Sequence, residues 1–476
     1  MTTRRLMSRE AIGTFSIRAP VAASRRISYS REALVLALCT PLLFVHERYN
    51  PDISMAVGST SVDISLSDIA VVIILVAATR AGRRLGVGPL RRGGWTLAAA
   101  ATLVTLVFVA TFAGPLLTDG YPLSGSLVSA AKFAEYGLLA AAVPLIVRRR
   151  GDALAVAVAL TAVGTAAAFV GVLQIVGLVG NLDNVPAGRR MPSFIGYHDF
   201  AALAGVTLAI AVAVIASGAW PRLRALGAVA ALAGVVGVVI AGAMATVLAL
   251  MLGGALAFIY MLARKTLSLR RLLAIGGLLL AVAAGSLSLR SGDVADFVGF
   301  LGKSNDQSEN VQTYSQRTVL AYIGIKIFLA HPFTGVGWQA SELPVNFEPH
   351  LDAARRRFPD VADEAFPSDR HRFGVQNAYV QAAADLGVVG LAVLLATLTL
   401  AFLRAASRGI RGTVPPGPLA IGVALAILVC AAEWAALGLV PGIPATALLW
   451  LFIGGAVALP REGDLPDDRT DGTPQA

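Results

Sequence analysis

From Glu32 to Leu459 the chain repeats one pattern, an apolar stretch of about 17 to 25 residues followed by a short arginine cluster or a Pro/Gly break. Stretches of that length match a hydrocarbon layer about 30 Å thick, and inside lipid only a helix or a closed barrel satisfies its own backbone. Of the 476 residues 56% are hydrophobic and 14% charged, and mean hydropathy is +0.72. A soluble domain carries about a quarter charged residues, so no soluble core could hide this much apolar surface. The pattern predicts an all-α polytopic membrane protein with about twelve transmembrane helices, at 33–46, 65–79, 95–113, 126–147, 152–178, 199–217, 225–241, 243–263, 272–289, 377–403, 417–437 and 442–459. The stretch 225–263 reads equally as one broken hairpin or as two ordinary helices. Most of the 48 glycines read as close-packing positions between membrane helices.

The formal charge of +10 would suit a nucleic-acid partner, but the position of the arginines argues against one. They fall between the spans: Arg4 to Arg31, Arg80 to Arg92, Arg148 to Arg150, Arg222 with Arg224, Arg264 to Arg271, and Arg404 to Arg411. Assigned to one side they form a positive-inside pattern, which places the N-terminus in the cytoplasm and, after twelve crossings, the C-terminus there too. Residues 1–31 read as a disordered basic cytoplasmic tail, 32–289 as nine helices, 290–376 as a large extracytoplasmic loop, 377–459 as three more helices and 460–476 as a cytoplasmic tail. A cleaved signal peptide is not expected, because the first apolar run comes late and lacks a small-residue cleavage site. Cys39 and Cys430 both lie inside apolar spans and read as small buried hydrophobes.

The segment 290–376 differs from the rest, with eleven Asp/Glu against nine Lys/Arg. Val319, Tyr322, Ile323 and Ile327 recur at helical spacing beside Arg317 and Lys326, which predicts a helix over Ser315–Ala330 lying along the membrane interface. His331-Pro332 should end it, and Gly335-Val-Gly337-Trp338 reads as a turn whose backbone approaches a neighbour or a ligand.

Outward-facing arginines are the most informative polar residues, because a guanidinium grips phosphate oxygens in a fixed fork and keeps its charge. Arg189 and Arg190, in the loop before the sixth span, and Arg317 are candidates for a diphosphate clamp, with lipid headgroups as the plainer partner. Ionisable residues within membrane segments are costly and therefore functional candidates. Lys132 and Glu135, one turn apart, are read as pairing or lining a substrate groove, Asp385 and Glu433 as polar contacts between helices, and Asp68 as a helix cap. The five histidines show no metal-ligand spacing, and no nucleotide-binding loop is present, so no metal or nucleotide cofactor is expected.

SQRTVLAYIGIKIFLAHPFTGVGW from Ser315 and QNAYVQAAADLGVVGLAVLL from Gln376, in this order and on this topology, resemble the O-antigen ligase and polymerase superfamily. The segment GRRMPSFIGYHDFAALAG at 187–204 is similar to that family's arginine-bearing loop. The resemblance implies transfer of a glycan from a polyprenyl-diphosphate carrier to a lipid or glycan acceptor, outside the cytoplasm and in the bacterial inner membrane. Arg189, Arg190, Arg317, Gln376, Asn377, Lys132 and Glu135 would then bind substrate, and His371, Glu364 and Asp369 are candidates for proton transfer. Two positions depart from the family pattern. Gln376 stands where a histidine usually precedes the asparagine, and Gly242-Ala-Met-Ala-Thr246 stands where Ser-x-Ser-Arg is common. A transporter or flippase of a lipid-linked solute, and a binder without turnover, are the alternatives.

Overall fold

The computed structural model describes residues 29–51, 53–57, 60–180, 191–217, 221–263, 273, 276–278, 280–288, 313–368, 373–411, 417–439 and 444–459. Among them the helices are α1 (Arg31–Cys39), α2 (Leu66–Leu85), α3 (Gly88–Leu117), α4 (Leu123–Gly137), α5 (Leu139–Ile146), α6 (Arg150–Ile175), α7 (Tyr197–Ala216), α8 (Pro221–Ala241) and α9 (Met244–Ala263). There follow α10 (Gly276–Ser288), α11 (Thr313–Ala330), α12 (Pro344–Arg357), α13 (Ala378–Arg411), α14 (Gly417–Trp434) and α15 (Pro444–Ala458). Seven helical segments in this described part are long and apolar enough to cross a membrane: α3, α4 with α5, α6, α7, Leu223–Ala241 of α8, Ala378–Ile410 of α13, and α14. Shorter apolar helices are Met244–Ile259, Gly276–Ser288 and Pro444–Ala458.

The ambiguous stretch 225–263 forms two helices, α8 and α9, broken at Gly242, whose φ of +62° a residue with a Cβ adopts only at a cost. Small residues bring α7 and α8 into backbone contact, since a Cβ on Gly234 would stand 2.8 Å from the Leu208 amide nitrogen. A short antiparallel hairpin, β1 (Ser54–Val57) with β2 (Thr60–Asp63), precedes α2 and was not expected. Its strands are four residues each, too brief for periodicity to register.

The two ends of the bundle differ in chemistry. At one end arginines close helix termini: Arg84 pairs with Glu32 at 2.9 Å, Arg148 donates to the Leu85 and Gly86 carbonyls, and Arg404 and Arg408 donate to the carbonyls of Arg92 and Ala456. Asp152, buried there, accepts from the Ser30 amide at 2.7 Å. At the other end lie the N-termini of α7, α9, α13 and α15, the C-terminus of α14, and the described residues of the segment 313–377.

That segment has its own small core. The residues at helical spacing do lie on one helix, and Val319, Ile323 and Ile327 of α11 bury against Val336, Leu343, Phe347 and Phe366, and against Ala384 of α13. The turn after α11 plugs into the bundle. Gly335 and Gly337 have φ of +64° and +106°, and Gly387, at a kink in α13, has +69°. Main-chain bonds join Val336 N to Ala384 O and Gly337 N to Asp385 O, both at 3.0 Å, and Val388 N to Pro332 O at 2.8 Å. Buried Asp385 accepts from the Gln339 and Ser341 amides, each at 3.0 Å, and from Gln381 Nε2. Fully buried Trp338 donates to Ser129 Oγ at 2.9 Å, and its ring lies 5.3 Å from Phe133. The close approach permitted by Gly335 and Gly337 is therefore to neighbouring helices.

Candidate functional site

Arg317 lies in the second turn of α11, on the side facing the end of the bundle. Its Nε donates to Gln376 Oε1 at 3.1 Å, and its Nη2 contacts His198 Nε2 at 2.7 Å. A guanidinium can only donate, so His198 must accept through Nε2 and carry its proton on Nδ1. That Nδ1–H faces Glu433 Oε2 at 3.3 Å. Glu433, fully buried near the end of α14, accepts on Oε1 from the Thr246 amide at 2.9 Å and the Thr246 hydroxyl at 2.5 Å. Five side chains from α7, α9, α11, α14 and the residue two places before α13 thus form one hydrogen-bonded file: Gln376, Arg317, His198, Glu433, Thr246.

The electrostatics of the file follow from this order. Burial lowers the affinity of Arg317 for its proton and Glu433 raises it, and an arginine so placed stays charged. Its two hydrogen-bonded partners are neutral, and the compensating carboxylate is one imidazole away. Among the described residues the guanidinium is oriented without a direct ion pair to cancel it, and Nη1 has no hydrogen-bond partner there. An anion could approach that free edge.

Helix starts hold the frame. The residue after His198, Asp199, accepts from the Ala445 amide of α15 at 2.7 Å. Asn377 Oδ1 accepts from the Tyr379 and Val380 amides at the start of α13, and its Nδ2 donates to the Ala435 carbonyl at 2.9 Å. The amide of Asn377 is thus engaged in capping and in tying α13 to the end of α14.

Of the residues singled out from sequence, Arg317 and Gln376 are brought together. Arg189, Arg190, His371 and Asp369 lie outside the described residues. Glu364 is exposed on the one-turn helix Asp363–Ala365 and takes no part in the Arg317 file. Lys132 and Glu135 sit in α4, and the pairing expected between them is corrected: Lys132 Nζ bridges to Asp68 at 2.8 Å and to the Asp63 carbonyl at 3.3 Å. Asp68 completes a capping box with Ser65, as anticipated, so the ammonium meets an acceptor already fixed in place. Glu135 Oε1 is buried without a hydrogen-bond partner among the described residues.

The sequence does not join the other three members of the file: His198 shows no metal-ligand spacing, Glu433 reads as a contact between helices, which its bonds to α7 and α9 are, and Thr246 stands where the family pattern differs. The available signal was the Tyr-His-Asp start of an otherwise apolar helix, two ionisable groups where lipid would make them costly.

Residues 228–395 match the family model described as O-antigen ligase. Over these residues the chain is similar to the O-antigen ligase domain, a likeness that supports the O-antigen ligase and polymerase superfamily. The match spans about a third of the chain and contains Thr246, Arg317 and Gln376, whereas His198 and Glu433 lie outside it. A search of curated proteins found no match. For this O-antigen ligase relative, family and helices together indicate a membrane protein of the glycosyltransferase type, engaged in polysaccharide synthesis.

Proposed function

We propose that the protein transfers a glycan from a polyprenyl-diphosphate carrier to an acceptor hydroxyl on the extracytoplasmic face of the bacterial inner membrane, without metal or nucleotide. The observation that carries this reading is Arg317, held in position by His198 and Gln376 with Nη1 unpartnered among the described residues, at the end of the bundle opposite the arginine clusters. A positive-inside arrangement then sets both termini and the Arg84–Arg148–Arg404 end in the cytoplasm, with twelve crossings.

In the transfer the acceptor oxygen bonds to the anomeric carbon as the carbon–oxygen bond to the diphosphate breaks, and negative charge grows on the leaving group. A fixed guanidinium near low-dielectric surroundings stabilises that charge more than water would, and removal of one such donor typically costs about 10²- to 10³-fold in rate. Arg189 and Arg190, and Lys132 with Glu135, are further proposed contacts for donor or acceptor.

The test is turnover in lipid nanodiscs supplied with a polyprenyl-diphosphate oligosaccharide and candidate lipid or glycan acceptors, following free polyprenyl diphosphate and product length. Carrier release by wild type, reduced at least about 100-fold in Arg317→Ala, supports the reading. Movement or binding of intact donor with no carrier release overturns it in favour of transport or simple binding.

A further inference from the structure

The proton of the acceptor hydroxyl must go somewhere as the new bond forms, and Gln376, at the position where the family resemblance places a histidine, cannot take it at neutral pH. The file supplies an imidazole two places further along, on the far side of Arg317. His198 comes from α7, yet its Nε2 is separated from the Gln376 amide only by the Arg317 guanidinium. Behind it stands a carboxylate whose other oxygen is fixed by two donors from Thr246. A buried carboxylate on Nδ1–H fixes the tautomer, aims the Nε2 lone pair and stabilises the imidazolium that proton uptake creates.

Resting on the transferase reading, we propose that His198 is the proton acceptor of this reaction, kept idle by Arg317 until the donor diphosphate takes over the Nη2 contact, while Nε stays on Gln376 and holds the guanidinium in place. In the step the acceptor O–H proton passes to His198 Nε2, the acceptor oxygen bonds to the anomeric carbon, and the carbon–oxygen electron pair leaves with the polyprenyl diphosphate. The imidazolium then returns its proton to water or to the departing diphosphate. The resting contact has a consequence: without donor, Nε2 is occupied, and water is not activated against a glycan that has not been engaged through its diphosphate. Among the described residues the charged and titratable groups around His198 are Arg317 of α11, Glu433 of α14 and Asp199 of its own helix. His46 is also near, bordering Gly196 at 3.5 Å from where a Cβ there would stand.

The experiment compares wild type, His198→Gln and the double variant His198→Gln/Gln376→His in nanodiscs. Carrier release is measured against pH, and binding and ¹⁵N-histidine spectra are recorded with farnesyl diphosphate as a short anionic probe. Wild type should lose rate as pH falls, since an imidazolium cannot accept a proton. His198→Gln should lose at least about 100-fold in rate and the acid limb with it, with probe affinity within threefold. The double variant should regain a tenth or more of the wild-type rate together with the limb. In wild type the Nε2 resonance, assigned by its loss in His198→Gln, should move when farnesyl diphosphate binds. Retention of rate or of the acid limb in His198→Gln overturns the proposal while leaving the transferase reading intact. So does a rate loss without rescue that accompanies weakened probe binding, which makes His198 a positioning residue for Arg317. If wild type releases no carrier, the transferase reading fails by itself, and an Nε2 resonance unmoved at saturating probe rejects the resting contact independently.

Discussion

Replacing Gly335 by alanine should undock the segment that carries Arg317 and Gln376. A Cβ at 335 would stand 2.3 Å from the Asp385 carbonyl oxygen and 2.6 Å from the Leu386 nitrogen, both main-chain atoms that no rotamer can move aside. The φ of +64° alone costs a residue with a Cβ about 1 to 2 kcal/mol. Relieving the overlap pulls the turn from α13 and breaks the Val336–Ala384 and Gly337–Asp385 bonds, each worth about 1 kcal/mol net. The sum is about 3 to 4 kcal/mol, or roughly 150- to 1,000-fold in the ratio of docked to undocked turn. Hydrogen–deuterium exchange in nanodiscs reads this ratio directly at the amides of Val336, Gly337, Gln339 and Ser341. Their protection should fall by about 100-fold or more, and carrier release with it. Gly125→Ala, whose Cβ meets nothing within 4 Å, should leave both unchanged. Protection within threefold of wild type in Gly335→Ala would refute the assignment of this turn as a backbone latch.

Asp385→Asn keeps the shape but turns an NH₂ toward a cluster of three N–H donors, and should cost about 1.5 to 3 kcal/mol, seen as earlier proteolysis between α11 and α13; equal resistance would argue that the carboxylate is dispensable. Ile325, Leu329 and Phe333 remain exposed on α11 and its turn, so Phe333→Trp fluorescence should be quenched by brominated lipid if this face lies in the interface, and an unquenched tryptophan would place it in water. Because Cys39 and Cys430 are both buried, an introduced thiol can report sidedness. Ala362→Cys should react with an impermeant maleimide in intact cells, whereas Arg83→Cys should react only after permeabilisation, and the reverse result would invert the topology.

The bundle was legible because lipid imposes a rule on each segment separately. Length and apolarity admit a helix to the membrane regardless of what it touches, so the helices fall near the intervals read from Glu32 to Leu459, and α11 begins within two residues of its expected start. Local chemistry also sufficed for the Ser65–Asp68 cap and for the turn at His331-Pro332, where the deciding atoms are a few residues apart. The Lys132 pairing failed for the complementary reason. Glu135 is near in sequence, but Asp68 is already fixed at the start of α2, and the packing of α2 beside α4 gave the ammonium that partner instead.

The site belongs to the tertiary structure. Arg317 was identifiable as a charge in the polar segment 290–376, but nothing in the sequence linked it to a histidine 119 positions away, or that histidine to a carboxylate 235 positions further on. Spacing along the chain carries information only where residues share a helix face or a turn, and the members of this file share neither. They meet because α7, α9 and α14 end at the same level of the bundle and the turn at Gly335–Trp338 seats α11 over them. The sequence by itself determined that the chain is a stack of membrane helices with its polar chemistry gathered at one end. Which imidazole faces the arginine was decided by packing, since burial leaves a polar side chain few partners and only the assembled helices determine which of them is within reach.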